Sequence, residues 1–276
     1  MSINLPVYLS LGGIPGKNPV DAMNYAMAGK FACCPLAGEI SFEHVQICPQ
    51  NFGTVDESMI ERLNALFPNT KFRLHANVGL FAQRRVVDLA NWGDEKFRPY
   101  WDRLIEINGK LHGPAYTLHT GLRRDAKLTD LFGHVLDLES RMRCPVGIEG
   151  MYPAKGNPYL CSSWTEYRQL FDSGVRYALD LSHLNIVARA ERRIDAELVK
   201  DMLASPNCIE IHVSGNDGSH DQHRAIVGSE WWIELLLSLP TDSDAVVFAE
   251  GNLREGNRIA LPERINNQSV RHMFVL

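Results

Sequence analysis

Four short apolar segments in the second half of the chain each carry, at or near their end, a side chain able to bind a metal ion. They are PVGIEG with Glu149, YALDLSH with Asp180 and His183, CIEIHVS with His212, and AVVFAEG with Glu250. Two similar segments lie upstream, KFRLHA with His75 and PAYTLHTG with His119, and the stretch SHDQHR adds Asp221 and His223. Imidazole and carboxylate donors without thiolate suit iron, zinc or manganese and argue against a thiolate-bound cluster. Nine donors exceed what one tetrahedral or octahedral ion takes, so the set points to two or three divalent ions sharing carboxylates, with Glu149 the best bridge. Closely spaced ions can activate water or hold a substrate between them.

The spacing adds detail. A carboxylate that ends an apolar strand, as Glu149 and Asp180 do, is costly to bury ionised unless a cation or a donor pairs with it. In LDLSH, Asp180 closes a strand and His183 is placed on the following loop, which would serve neighbouring ions rather than one. In DQH, Asp221 and His223 project to the same side of an extended segment and form a two-pronged clamp. His44, His112, His134 and His272 fit no such pattern and read as structural or surface residues.

Donors so widely scattered need a scaffold that gathers them. Buried-looking strands recur near 5–11, 44–48, 71–76, 114–120, 145–150, 177–182, 208–214 and 245–251. Helical periodicity falls near 19–30, 56–66, 97–110, 127–141, 163–173, 195–204 and 230–238, with Asp56, Ser163 and Ser229 as N-cap candidates. Eight Val-, Ile- and Leu-rich strands alternating with helices predict an α/β fold, a parallel (β/α)8 TIM barrel, in which active sites gather at the carboxyl ends of the strands. The 276 residues suit one such domain spanning 1–276, with an irregular C-terminal tail over about 252–276 that wraps the barrel or meets a partner protein.

Composition narrows the partners. Apolar content of 45% and charged content of 22% are those of an ordinary soluble globular chain. A net charge of -5 supplies no global field for nucleic acid or an anionic membrane, so a small-molecule or peptide substrate is expected instead. The longest apolar run, WWIELLLSL, falls short of the roughly 18 residues that span a bilayer. Six cysteines without CxxC spacing, and no leader of the secretory kind, give reduced thiols in the cytoplasm as the expectation.

Over about nine tenths of the chain, the segments RLHA, TLHTG, GIEG, LDLSH, IHVSGND, DQH and FAEG resemble, in order, the endonuclease IV branch of the xylose isomerase-like barrel superfamily. The opening VYLSLGG and the strand VQIC resemble the beginning of the same family. That resemblance implies a trinuclear site made by His75, His119, Glu149, Asp180, His183, His212, Asp221, His223 and Glu250. Endonuclease IV proper cuts DNA at abasic sites with three zinc ions. Here its first-strand His is replaced by Tyr8, its aromatic residue after the first ligand is absent from HANVGLF, and its NDSK-like stretch reads NDGS.

A second branch, the multinuclear non-heme iron-dependent oxidative enzymes of natural-product biosynthesis, is similar in WTEYRQLFDSGVRYALDLSHLNIVA and in IEIHVSGN with DQH. It implies iron, dioxygen and a thiol-containing peptide or small molecule, and it is the favoured reading of the sequence. The chain departs from that branch at His183, Asn216 and Asn252, and at Gln46 and Gln50. A third reading is a mononuclear sugar isomerase or epimerase with one ion on Glu149, Asp180, His212 and Glu250, His183 then touching substrate.

Candidate substrate contacts are Asn77, Asn185, Asn216 and Arg123, with Arg84, Arg85 and Arg124 able to meet an anionic group. The loop 150–164 reads equally as a lid or as a packed surface excursion. Cys33 and Cys34 read as core residues.

Overall fold

The computed structural model describes residues 6–29, 40–240 and 242–252. Along the chain run β1 (Val7–Ser10), α1 (Pro19–Met27), β2 (Ser41–Ile47), α2 (Glu57–Leu66), β3 (Lys71–Leu74), α3 (Arg98–Leu111), β4 (Tyr116–His119) and α4 (Leu128–Met142). There follow β5 (Val146–Glu149), α5 (Trp164–Asp172), β6 (Tyr177–Asp180), α6 (Leu181–Glu191), α7 (Ala196–Ala204), β7 (Cys208–Val213), α8 (Ile233–Leu236) and β8 (Val246–Ala249). The eight strands close in sequence order into one parallel barrel, β1 pairing with β8 through Val7 and Val247. This is the single-domain TIM barrel expected from the strand pattern.

Local chemistry explains the elements. Asp56 and Ser163 cap α2 and α5 by accepting from the backbone N–H of Met59 and Glu166. Ser229 does not cap α8, which starts only at Ile233; the Glu230 carboxylate instead accepts from the Val227 and Gly228 N–H groups and holds the preceding turn. Trp101, Trp164, Trp232, Tyr100, Tyr116 and Tyr167 are buried in the main apolar core. The four described cysteines, Cys48, Cys144, Cys161 and Cys208, are free. Among the described residues no helix is long and apolar enough to cross a membrane. The readings made for Cys33, Cys34, His272 and the C-terminal tail fall outside the described residues.

One element corrects the sequence reading. Leu181 and Ser182, read as the end of a strand, and His183, placed on a loop, open the helix α6, capped by Asp180, whose Oδ1 accepts from the N–H of Ser182 and His183. His183 therefore sits in the first helical turn and folds back over Asp180.

Candidate metal centre

Parallel strands put all their carboxyl ends at one mouth, and the nine donors converge there. His75 follows β3, His119 ends β4, Glu149 ends β5, Asp180 ends β6, His212 lies within β7 and Glu250 follows β8. His183 comes from α6, and Asp221 and His223 from the loop after β7. Eight of them line a cavity of about 150 Å³ together with Gly12, Cys48, Pro49 and Gln50. His212, with no exposed surface, stands behind Glu149 and Glu250.

The donor atoms are spaced as ligands sharing an ion would be. Two ligands at about 2.1 Å from one tetrahedral ion lie about 3.4 Å apart. In the structure His75 Nε2 is 3.3 Å and His212 Nδ1 is 3.5 Å from Glu149 Oε2, and His212 Nδ1 is 3.6 Å from Glu250 Oε1. His183 Nε2 is 3.5 Å from Asp180 Oδ2 and 3.7 Å from Asp221 Oδ2. Four buried atoms of the set have no hydrogen-bond partner: Glu149 Oε2, His212 Nδ1, Asp221 Oδ1 and Glu250 Oε1. Lone buried polar atoms occur elsewhere in the fold, but here three belong to residues lining one cavity and the fourth, His212 Nδ1, stands directly behind it, a cluster that bound cations would satisfy.

Among the described residues, three overlapping groups of donors lie close enough to share an ion: His75, His212 and Glu250; His75, His119 and Glu149; Glu149, Asp180 and His183. Glu149 and His75 each belong to two of them. Asp180 and His183 fall within one group, the helical cap bringing them close together. The Asp221–His223 clamp is closed on itself, with Oδ2 and Nε2 2.8 Å apart, and His223 adopts a left-handed backbone at φ 44°.

Electrostatics carries the same imprint. Burial disfavours charge on His183, yet Asp180, Asp221 and Glu149 raise its pKa to about 10. Burial likewise opposes charge on His223, which Asp221 and Glu250 raise to about 9. Burial together with Asp180 and Glu149 lifts Glu250 to about 7, against the pull of His212. Burial opposes ionisation of Glu149, but His75 and His212 hold its carboxyl well below the usual range. Protons on His183 and His223 thus stand where the carboxylates call for positive charge, whereas burial holds His75 neutral.

Several histidines are oriented from behind. His183 Nδ1 donates to the Gly150 carbonyl at 2.9 Å, leaving Nε2 toward the acids, and the Tyr152 ring lies 4.8 Å from the imidazole. Asp88 Oδ1 stands 3.7 Å from His119 Nδ1. Beneath the cavity, Glu210 contacts Arg73, Thr117 and His212. Burial by itself would raise the Glu210 pKa, but the His212 hydrogen bond and the Arg73 charge bring it down to about 2. The sequence reading missed Glu210, Thr117 and Asp88; the period-two spacing of Glu210 and His212 in CIEIHV was the signal that both face inward.

The four candidate substrate contacts each have protein partners. Asn77, with φ 61°, donates to Asp88 and accepts from the Val87 N–H, tying its loop together. Asn185 donates to Asn216 Oδ1 and accepts from the Trp231 indole, while Asn216 donates to the Ser182 carbonyl. Arg123 is held bidentate by Glu166 at 2.5 and 2.7 Å. Arg84 donates to the Asn51 carbonyl, Arg124 lies 3.6 Å from Asp125, and Arg85 is exposed. The 150–164 loop is pinned to the loop after β4 by backbone bonds from Leu160 to Gly121 and from Arg123 to Pro158, favouring the packed-excursion reading.

No protein-family model matches the sequence, and a search of curated proteins finds no similar one. Solved structures do share the fold. A D-tagatose 3-epimerase-like protein superposes with a TM-score of 0.65 at 15% identity, covering 90% of this chain and 91% of its own. An AP endonuclease, family 2, from Brucella melitensis gives 0.61 at 14% identity, covering 91% and 95%. The IolI protein with a bound zinc atom gives 0.56 at 12% identity, covering 89% and 88%. All three are likenesses of fold. The relation to iron-dependent oxidative enzymes finds no support among them.

Proposed function

On a xylose isomerase-like barrel, we propose that the chain is a metal-dependent enzyme with a two- or three-ion centre that performs hydrolysis, a phosphate ester being the first substrate class to test. The observation that carries this reading is the overlap of three donor groups through Glu149 and His75. Divalent ions held there would supply Lewis acidity to a substrate oxygen and lower the pKa of a bound water. Glu149 has an oxygen toward each side of the site, Oε2 toward His75 and His212 and Oε1 toward His183. Asp221 and His223 close the outer end, and the Tyr152 ring covers His183. Gln50 lines the cavity beside these donors.

A second reading rests on Glu149, Asp180, His212 and Glu250, the four-donor set of a mononuclear isomerase or epimerase, and on the epimerase-like barrel among the similar structures. There Glu250 Oε1 and a Glu149 oxygen would carry the proton. It leaves His75, His119, Asp221 and His223 without a shared task, which ranks it second. The iron- and dioxygen-dependent oxidation of a thiol-bearing substrate is a third reading, separable by metal identity. Zinc, manganese and iron all suit the donor set, and cytoplasmic location is part of the proposal.

The experiment is turnover by protein loaded separately with zinc, manganese and anaerobic ferrous iron. Substrates are a phosphodiester panel including an abasic-site oligonucleotide, a ketose and aldose panel, and thiol peptides under air. Hydrolysis abolished by chelation is expected. Epimerisation with one ion, or oxygen uptake with iron, would overturn the hydrolytic reading in favour of its rivals.

A further inference from the structure

Glu210 lies outside the cavity and has no exposed surface, yet it is tied to two of the candidate ligands. Its Oε1 accepts from Arg73 Nη1 at 2.9 Å. Its Oε2 lies 3.1 Å from His212 Nε2, 2.9 Å from Thr117 Oγ1 and 3.5 Å from Gln46 Nε2. An ionised carboxylate can only accept, so the hydrogen shared with His212 sits on Nε2 and the lone pair sits on Nδ1, the atom facing Glu149 and Glu250. The Gln46 amide, 3.1 Å from the same Nε2, then donates to Glu210 instead.

The same logic passes through Thr117. Its hydroxyl donates to Glu210, so it accepts from His75 Nδ1 at 3.2 Å, and the His75 lone pair falls on Nε2, 3.3 Å from Glu149. We propose that Glu210 is a positioning residue that sets the ligating nitrogen of two histidines at once, His212 directly and His75 through Thr117. Outer carboxylates that fix a ligand imidazole in this way change metal affinity by about 10–100-fold. A bare structural ion pair between Glu210 and Arg73 would fill the barrel equally well without dictating either tautomer.

This rests on the metal-centre reading, and zinc is the probe. Long-range proton–nitrogen spectra of histidine-labelled, zinc-loaded protein should show His212 protonated on Nε2 and His75 on Nδ1. Thr117→Val, which removes no charge, should release the His75 preference, leave His212 unchanged and weaken zinc binding by about 10–100-fold in chelator competition. Glu210→Gln combined with Arg73→Met, which leaves no unpaired buried charge, should disturb both histidines. Wild-type tautomers and zinc affinity in folded Thr117→Val protein would overturn the proposal, whether or not the double variant folds. Failure of the wild-type protein to bind zinc, manganese or iron would instead remove the metal-centre reading itself.

Discussion

The mouth of the barrel and the layer just beneath it are both buried and both acidic, but they treat their acids differently. Below, Glu210 has Arg73 on one oxygen and Thr117 and His212 on the other. Above, Glu149, Asp180, Asp221 and Glu250 share one cavity whose lining contains neither lysine nor arginine. Buried charge needs compensation, so the lower layer carries its own and the upper one calls for it from outside. The contrast separates a carboxylate with its own partners from carboxylates grouped as a metal site would group them.

The largest effect expected from breaking the upper side is Glu149→Gln. Since Glu149 belongs to two of the three donor groups, elemental analysis should show loss of two bound equivalents; unchanged metal content would erase the contrast. On the lower side, Arg73→Met strands the Glu210 charge and should cost about 3–5 kcal/mol in urea unfolding of metal-free protein. Adding Glu210→Leu should recover most of it; no recovery would mean that Arg73 acts by packing.

Smaller effects sharpen the boundary. His223→Ala should remove one equivalent and leave the deeper donors filled, whereas unchanged stoichiometry would exclude the outer clamp from the centre. The pH response should invert with metal. In metal-free protein the raised pKa values of His183 and His223 contribute stability that is full below about pH 6.5 and lost as the pH rises through about 9 to 10. Bound metal replaces those protons, so zinc affinity should rise over the same window. Parallel melting curves with and without zinc would reveal a common trend if the histidines lie outside the centre. Least of all, Arg123→Ala should cost under about 1 kcal/mol and leave KM unchanged, because its Glu166 pair is partly solvated.

Much of this was legible in the sequence. Eight apolar runs gave the barrel, and period-two strands ending in His, Asp or Glu marked the mouth, because a closed parallel barrel leaves few other destinations for strand-end donors. The helix α6 was hidden, since His183 and Asn185 gave LSHLNIVARAE the texture of a ligand-bearing loop, and the capping by Asp180 shows only when the carboxylate is seen to accept two N–H groups. The loop-holding bonds of Asn77, Asn185, Asn216 and Arg123 were not legible, because their partners lie between 10 and 46 residues away in the chain. Glu210 was passed over for the same non-local reason: Arg73 and Thr117 are 137 and 93 residues away in the chain.

The most direct measurement is the metal count of gently purified, chelator-free protein, paired with Glu149→Gln. Two or three ions per chain, falling by two in the variant, is the expected result. A single ion that survives His223→Ala, or none under any loading condition, would contradict a shared multinuclear centre.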